Sequence, residues 1–147
     1  ACTQLEVLSL ANNQLSSLPA SLSNLTQLRK LNLSHNLITH IPGCVYNMKA
    51  LVFLHLAFNR LENLAENIQA LVELRILIVE GNSIHSLPKA LCCLTRLELL
   101  NLDFNDIKDV NAKSLNKLFC DWFDRAISFS REHIRHKRSK SDAVRGD

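Results

Sequence analysis

The aliphatic residues of this chain return at fixed offsets. Aligned with itself, the sequence repeats every 23 residues in the frame L-x-x-L-x-L-x-x-N-x-L-x-x-L, whose last three apolar slots also take Ile or Val. The first repeat places Leu5, Leu8, Leu10, Asn13, Leu15 and Leu18 in it, and the second Leu28, Leu31, Leu33, Asn36, Ile38 and Ile41. Leu51, Leu54, Leu56, Asn59, Leu61 and Leu64 follow, then Leu74, Leu77, Val79, Asn82, Ile84 and Leu87. The fifth repeat has Leu97, Leu100, Leu102, Asn105, Ile107 and Val110, so all five fill every slot without an insertion. After the frame come Pro19, Pro42 and Pro88, with Ala65 and Asn111 in the other two repeats, and then apolar columns led by Leu22 and Leu25.

Each L-x-L stretch alternates with period two, which predicts a short strand with its leucines on the inner face. The asparagine follows where the chain turns away, and its amide is placed to bond backbone groups of the turn and of the next repeat. Proline, with φ near −65°, suits the start of a return segment. Leu22-x-x-Leu25-x-x-Leu28 then has the three-residue spacing of a short helix or tight turn. One repeat cannot bury its own leucines, but stacked neighbours can, with strands about 4.8 Å apart. The expected fold is therefore an α/β solenoid, an arc or horseshoe with a concave parallel β-sheet and short helices or turns on its convex side.

Residues 1–110 are assigned to the repeats. Cys2 falls in the column of Leu25, Met48, Leu71 and Leu94, so the chain is expected to begin inside the tail of a repeat. Leu115, Leu118, Phe119, Trp122, Phe123, Ala126, Ile127 and Ile134 recur at three- and four-residue intervals. They predict an amphipathic helix over 111–135 that covers the last repeat, as an open solenoid end requires. A membrane-surface or partner helix is the alternative for that stretch. Residues 136–147 are expected to form a basic, disordered tail.

The residues between the inward leucines face outward along the sheet. Val7, Lys30, Phe53, Ile76 and Leu99 form one column, and Ser9, Asn32, His55, Ile78 and Asn101 a second. Ala11, Ser34, Ala57, Glu80 and Asp103 form a third, and Asn12, His35, Phe58, Gly81 and Phe104 stand beside the asparagine. Phe53, Ile76, Leu99 and Ile78 thus make an apolar patch on a surface that should be wet, which marks a protein contact. Lys30, His55, Phe58, Glu80, Asp103 and Phe104 complete the expected binding face. Glu80 and Asp103 are read as a solvated acidic patch that helps to select a basic partner residue, in preference to an acid–base pair. A plainer account is that such residues merely suit a sheet surface, or that the tail folds back over them.

Residues 5–110 resemble the leucine-rich repeat superfamily. The repeat length, the Leu-Pro step and the L-x-x-L-x-x-L that follows are similar to the intracellular class found in Scribble/Erbin-type scaffolds, the Ras suppressor and Ras–Raf scaffold proteins. The resemblance implies a non-catalytic module for protein recognition, an adaptor or scaffold in signalling. It leaves open a substrate-recognition region of a larger enzyme, such as a phosphatase, ubiquitin ligase or cyclase, with the catalytic domain outside this chain. Extracellular members usually end in cysteine-rich caps, whereas Phe119-Cys120-Asp121-Trp122-Phe123 holds a single cysteine, which argues against secretion.

Composition adds exclusions. Five cysteines are an odd number without framework spacing or a C-x-x-C pair, so neither a disulfide scaffold nor a zinc site is supported. With no signal peptide or spanning run, the expected location is cytoplasmic, with the nucleus as a second compartment. The net charge of +3 is concentrated from Arg125 onward, where seven cations, Arg125 included, face three acids. There Lys137, Arg138 and Lys140 match a short basic import signal, and Ser139 and Ser141 suit a basophilic kinase. A solvated tail of no specific use explains the same run. No basic stripe with aromatics follows the repeats, so nucleic acid is not an expected partner. Six scattered histidines lack ligand spacing, and three glycines build no phosphate cradle. No catalytic residue, metal, cofactor, small-molecule substrate or membrane contact is expected; the expected state is a monomer that binds a protein.

Overall fold

The computed structural model describes residues 4–107, and each repeat contributes one three-residue strand. These are β1 (Val7–Ser9), β2 (Lys30–Asn32), β3 (Phe53–His55), β4 (Ile76–Ile78) and β5 (Leu99–Asn101). They form one parallel sheet in chain order, paired at a constant offset of 23 residues, so that Val7, Lys30, Phe53, Ile76 and Leu99 lie side by side. The sequence period and the sheet register are therefore the same quantity. The helix expected over 111–135, and the tail with Lys137, Arg138, Ser139, Lys140 and Ser141, lie outside the described residues.

Between strands the chain returns through 3₁₀ turns at Ala20–Asn24, Gly43–Asn47, Glu66–Ala70 and Lys89–Cys93. The apolar spacing explains the choice of helix type. The N–H of Leu22 donates to the Pro19 carbonyl (3.1 Å), Leu25 to Leu22 (3.0 Å), and Leu28 to Leu25 (3.2 Å). The next three repeats reproduce the series through Val45, Met48 and Leu51, then Ile68, Leu71 and Leu74, then Leu91, Leu94 and Leu97. Three residues per turn keep these side chains on one face, whereas the 3.6 of an α-helix would rotate them out of the core. Ala65 (φ −75°, ψ 157°) holds the same extended backbone as Pro19 (φ −62°, ψ 142°), so the slot demands a conformation rather than a ring.

The inward leucines meet their counterparts in neighbouring repeats. Leu31, Leu54, Leu77 and Leu100 at the strand centres are fully inaccessible, as are Leu28, Ile38, Met48, Leu51 and Leu61 around them. In the first repeat Leu5 is 36% exposed and Leu8, Leu10, Leu15 and Leu18 are half-buried, because among the described residues a neighbour covers them on one side only.

The asparagines run the other way from the expectation. Asn59 Nδ2 donates to Leu56 O (3.1 Å) in its own turn and to Leu33 O (2.9 Å) in the preceding repeat, while its Oδ1 accepts from Ile38 N (3.0 Å). Asn36, Asn82 and Asn105 repeat the pattern on Leu10 and Leu15, Leu56 and Leu61, and Val79 and Ile84. The bonds reach back because the carbonyl ending each strand, and the N–H starting the following turn, both point toward the next repeat. Their partner therefore stands one repeat further on. These four amides are buried, and each satisfies backbone groups that the core would otherwise leave without water.

Replacing Asn59 with Ala removes the partner of Ile38 N–H and one of the two amide donors to each of Leu33 O and Leu56 O, and should lower the unfolding free energy by about 2 kcal/mol. Asn13, exposed and bonded through its side-chain amide to Ala11 O, should lose no more than about 0.5 kcal/mol on the same change. Urea unfolding of the two variants measures the difference; equal losses would show that the cross-repeat bonds do not hold the stack.

Candidate protein-binding face

Alternation leaves the first and third residue of each strand on the concave side. The register brings Phe53, Ile76 and Leu99 into one row across β3–β5, and His55, Ile78 and Asn101 into a parallel row, all six half-buried. Lys30 is exposed and extends the first row toward Val7, which is 60% exposed. The Phe53 ring meets the His55 ring edge-on, centroids 6.1 Å apart at 81°.

The third column departs from the expectation. Ser34, Ala57 and Asp103 are 4%, 1% and 3% exposed, so Asp103 is withdrawn from the surface and no acidic pair faces solvent. The second column bonds the backbone beneath it. Asn32 Oδ1 accepts from Ser34 N (2.9 Å), His55 Nδ1 from Ala57 N (3.3 Å), and Asn101 Oδ1 from Asp103 N (3.0 Å). Each side chain thus satisfies the backbone N–H two residues ahead. Ile78 has no acceptor; Glu80, two residues after it, is half-buried, and its Oε2 accepts from Asn101 Nδ2 at 3.2 Å.

The fourth column holds a constraint that the sequence did not announce. Asn12, His35, Phe58, Gly81 and Phe104 all have positive φ, between 55° and 70°. A residue with a Cβ pays roughly 1–2 kcal/mol for this left-handed conformation, yet four of the five positions are not glycine. Phe58 and Phe104 are 43% and 59% exposed. The Phe58 ring stacks on His35, centroids 4.8 Å apart at 20°, and lies over Gly81 on its other side. A Cβ at Gly81 would stand 2.4 Å from the ring, so the missing side chain is what gives the ring its place. His35 and Gly81 were not among the expected site residues. Their only trace in the sequence is their position beside the repeated asparagine.

Other chemistry has less to work with. Among the described residues no three His, Cys, Asp or Glu side chains converge as metal ligands, and no helix is long and apolar enough to cross a membrane. A cleft of about 340 Å³ on the flank of the arc is lined by His40, Tyr46, Asn47, Asn63 and Asn67 among others, without a carboxylate or thiol.

Residues 1–139 match a family model described as a leucine-rich repeat region. Comparison with curated proteins gave no match. Among solved structures, a leucine-rich repeat protein of Leptospira interrogans aligns with a TM-score of 0.69 and 36% identity, over 76% of this chain and 28% of that one. The ectodomain of the Arabidopsis thaliana receptor kinase GASSHO1/SCHENGEN3, solved in complex with Casparian strip integrity factor 2, aligns at 0.61 and 36% identity, over 69% of this chain and 13% of that one. Internalin C2 of Listeria monocytogenes aligns at 0.66 and 27% identity, over 79% and 49%. The chain thus spans less than a third of the first two of these proteins.

Burial holds the His55 imidazole below its ordinary range, Glu80 opposes that shift, and His35 adds to it. The neutral form is favoured by folding, so the folded state takes up its proton at lower pH than the unfolded chain. This contribution to stability is complete above about pH 6.5 and is lost as pH falls from there through the folded-state value. Replacing His55 with Gln should flatten the decline of the melting midpoint between about pH 7 and pH 5. An unchanged slope in thermal melts across that window would show that His55 is not held neutral.

Proposed function

The chain belongs to the leucine-rich repeat family, and on that premise we propose that it is a non-catalytic adaptor or scaffold that captures a protein partner on its concave face. Folds of this family are generally protein-interaction modules. The observation that carries the reading is the unbroken row Phe53–Ile76–Leu99, with Ile78 beside it, on the face that the solenoid leaves open. Covering such a patch gains about 25 cal/mol per Å² of apolar surface, and a few central anchors dominate an interface of this kind. The ring of Phe58 and the side chains of Lys30, His55 and Glu80 supply the polar and aromatic rim. The plant ectodomain solved with Casparian strip integrity factor 2 supports use of the fold for capture. We place the protein as a monomer in a reducing compartment, cytoplasmic or nuclear, on its odd and unpatterned cysteines. A recognition region of a larger enzyme is the second reading, favoured by the likeness to the ectodomain of a receptor kinase.

Exchanging Phe53 and Ile76 for Glu places two charges on a surface rather than in the core, so circular dichroism and melting should change little. Affinity purification from cell extract with wild type beside this double variant should lose the wild-type partner, at least about a hundredfold in affinity once it is identified. Retention of the partner by the double variant would remove the concave face from the assignment.

A further inference from the structure

We infer that the concave face receives an amphipathic helix of its partner, laid across the strands with aliphatic residues over Phe53, Ile76 and Leu99 and an acidic residue over Lys30. The inference rests on the reading of that face as the binding surface and specifies the shape and charge of what it takes.

The register sets the order of the row, so that Val7, Lys30, Phe53, Ile76 and Leu99 follow one another on successive strands. Lys30 is exposed and interrupts an otherwise apolar line, and Arg29, before it in the chain, is exposed as well. Among the described residues neither side chain is in an ion pair; that contact joins Arg96 and Glu73. Glu6, one repeat earlier, takes the backbone N–H groups of Arg29 (2.8 Å) and Lys30 (3.0 Å) on its carbonyl, while its carboxylate pairs with neither. The other acids beside the row stand toward its far end, Glu98 next to Leu99 and Glu80 two residues after Ile78. A segment lying along the row therefore meets a cationic end at the second repeat, and charge complementarity puts its carboxylate there. The run from Arg125 onward, with seven cations against three acids, has the wrong sign for that place.

Spacing selects the helix. Strands in a sheet stand about 4.8 Å apart, so the second and third contacts of the row lie about 4.8 and 9.6 Å from the first. A helix rises about 1.5 Å per residue, which puts i+3 and i+7 about 4.5 and 10.5 Å from i on one face. One further turn reaches Lys30. An extended segment repeats its face about every 6.7 Å and is out of step by the third contact. The row thus suits the helix-in-groove mode, in which a few anchors one turn apart are read.

The test uses the full chain as bait for a phage-displayed library of long random linear peptides. Selected peptides should carry aliphatic residues at i, i+3 or i+4, and i+7, with Asp or Glu one turn outside that set. Lys30→Gln should weaken them about three- to fivefold, the effect of an exposed charge pair, and Lys30→Arg should retain them. Lys30→Glu should move selection to Lys or Arg at the acidic position, an outcome that misfolding cannot produce. Peptides lost on Phe53→Glu with Ile76→Glu, yet with aliphatic residues alternating at i, i+2 and i+4 or with no acid preference, would overturn this inference and leave the concave face standing. Peptides indifferent to the Phe53/Ile76 pair, or a library without binders, would overturn both.

Discussion

A strand of three residues makes too few ladder bonds to hold a sheet, and this sheet is built of nothing longer. Backbone bonds just beyond the strands continue the ladder, as from Leu10 N–H to Asn32 O and from Lys30 N–H to Glu6 O, and the buried asparagines of the second to fifth repeats add to it. Each amide closes its own turn and at the same time takes the carbonyl and N–H left open by the preceding repeat. Leucine burial drives the repeats together without saying where they should stop sliding. The asparagine says where, because only at an offset of one full repeat do its donor and acceptor meet partners. An insertion of one residue anywhere in a repeat would therefore cost both the bonds and the alignment of the leucines.

That same offset composes the binding face. Once the inward columns are in register the outward ones are too, so a residue exchanged in one repeat adds one element to a two-dimensional pattern. The second column decides more than its own chemistry. Asn32, His55 and Asn101 accept from the backbone N–H two residues ahead, while Ile78 has no acceptor and Glu80, two residues after it, stays half-buried. Beside it, the left-handed column stores conformational strain in a row of exposed side chains, held in place by the stack on either side.

The Arg96–Glu73 pair at 2.6 Å shows, by contrast, how little the surface ion pairs matter. Both side chains are about half exposed, so solvent screens them and their loss would hardly be felt. Stability resides in contacts between neighbouring repeats, which is why the first repeat, covered on one side among the described residues, keeps its leucines half-exposed.

Periodicity made the repeats, the strands, the parallel order and the apolar row at Phe53, Ile76 and Leu99 legible in the sequence, because each depends on spacing along the chain. The convex return was legible as a three-residue rhythm, and its 3₁₀ form follows from that rhythm once the backbone bonds are seen. The direction of the asparagine bonds, the burial of Asp103 and the seat of the Phe58 ring on Gly81 were decided only by tertiary structure. Each of these is a relation between residues one repeat apart whose outcome depends on which way a group points. Spacing places two residues side by side, but the backbone turn between them determines which one covers the other.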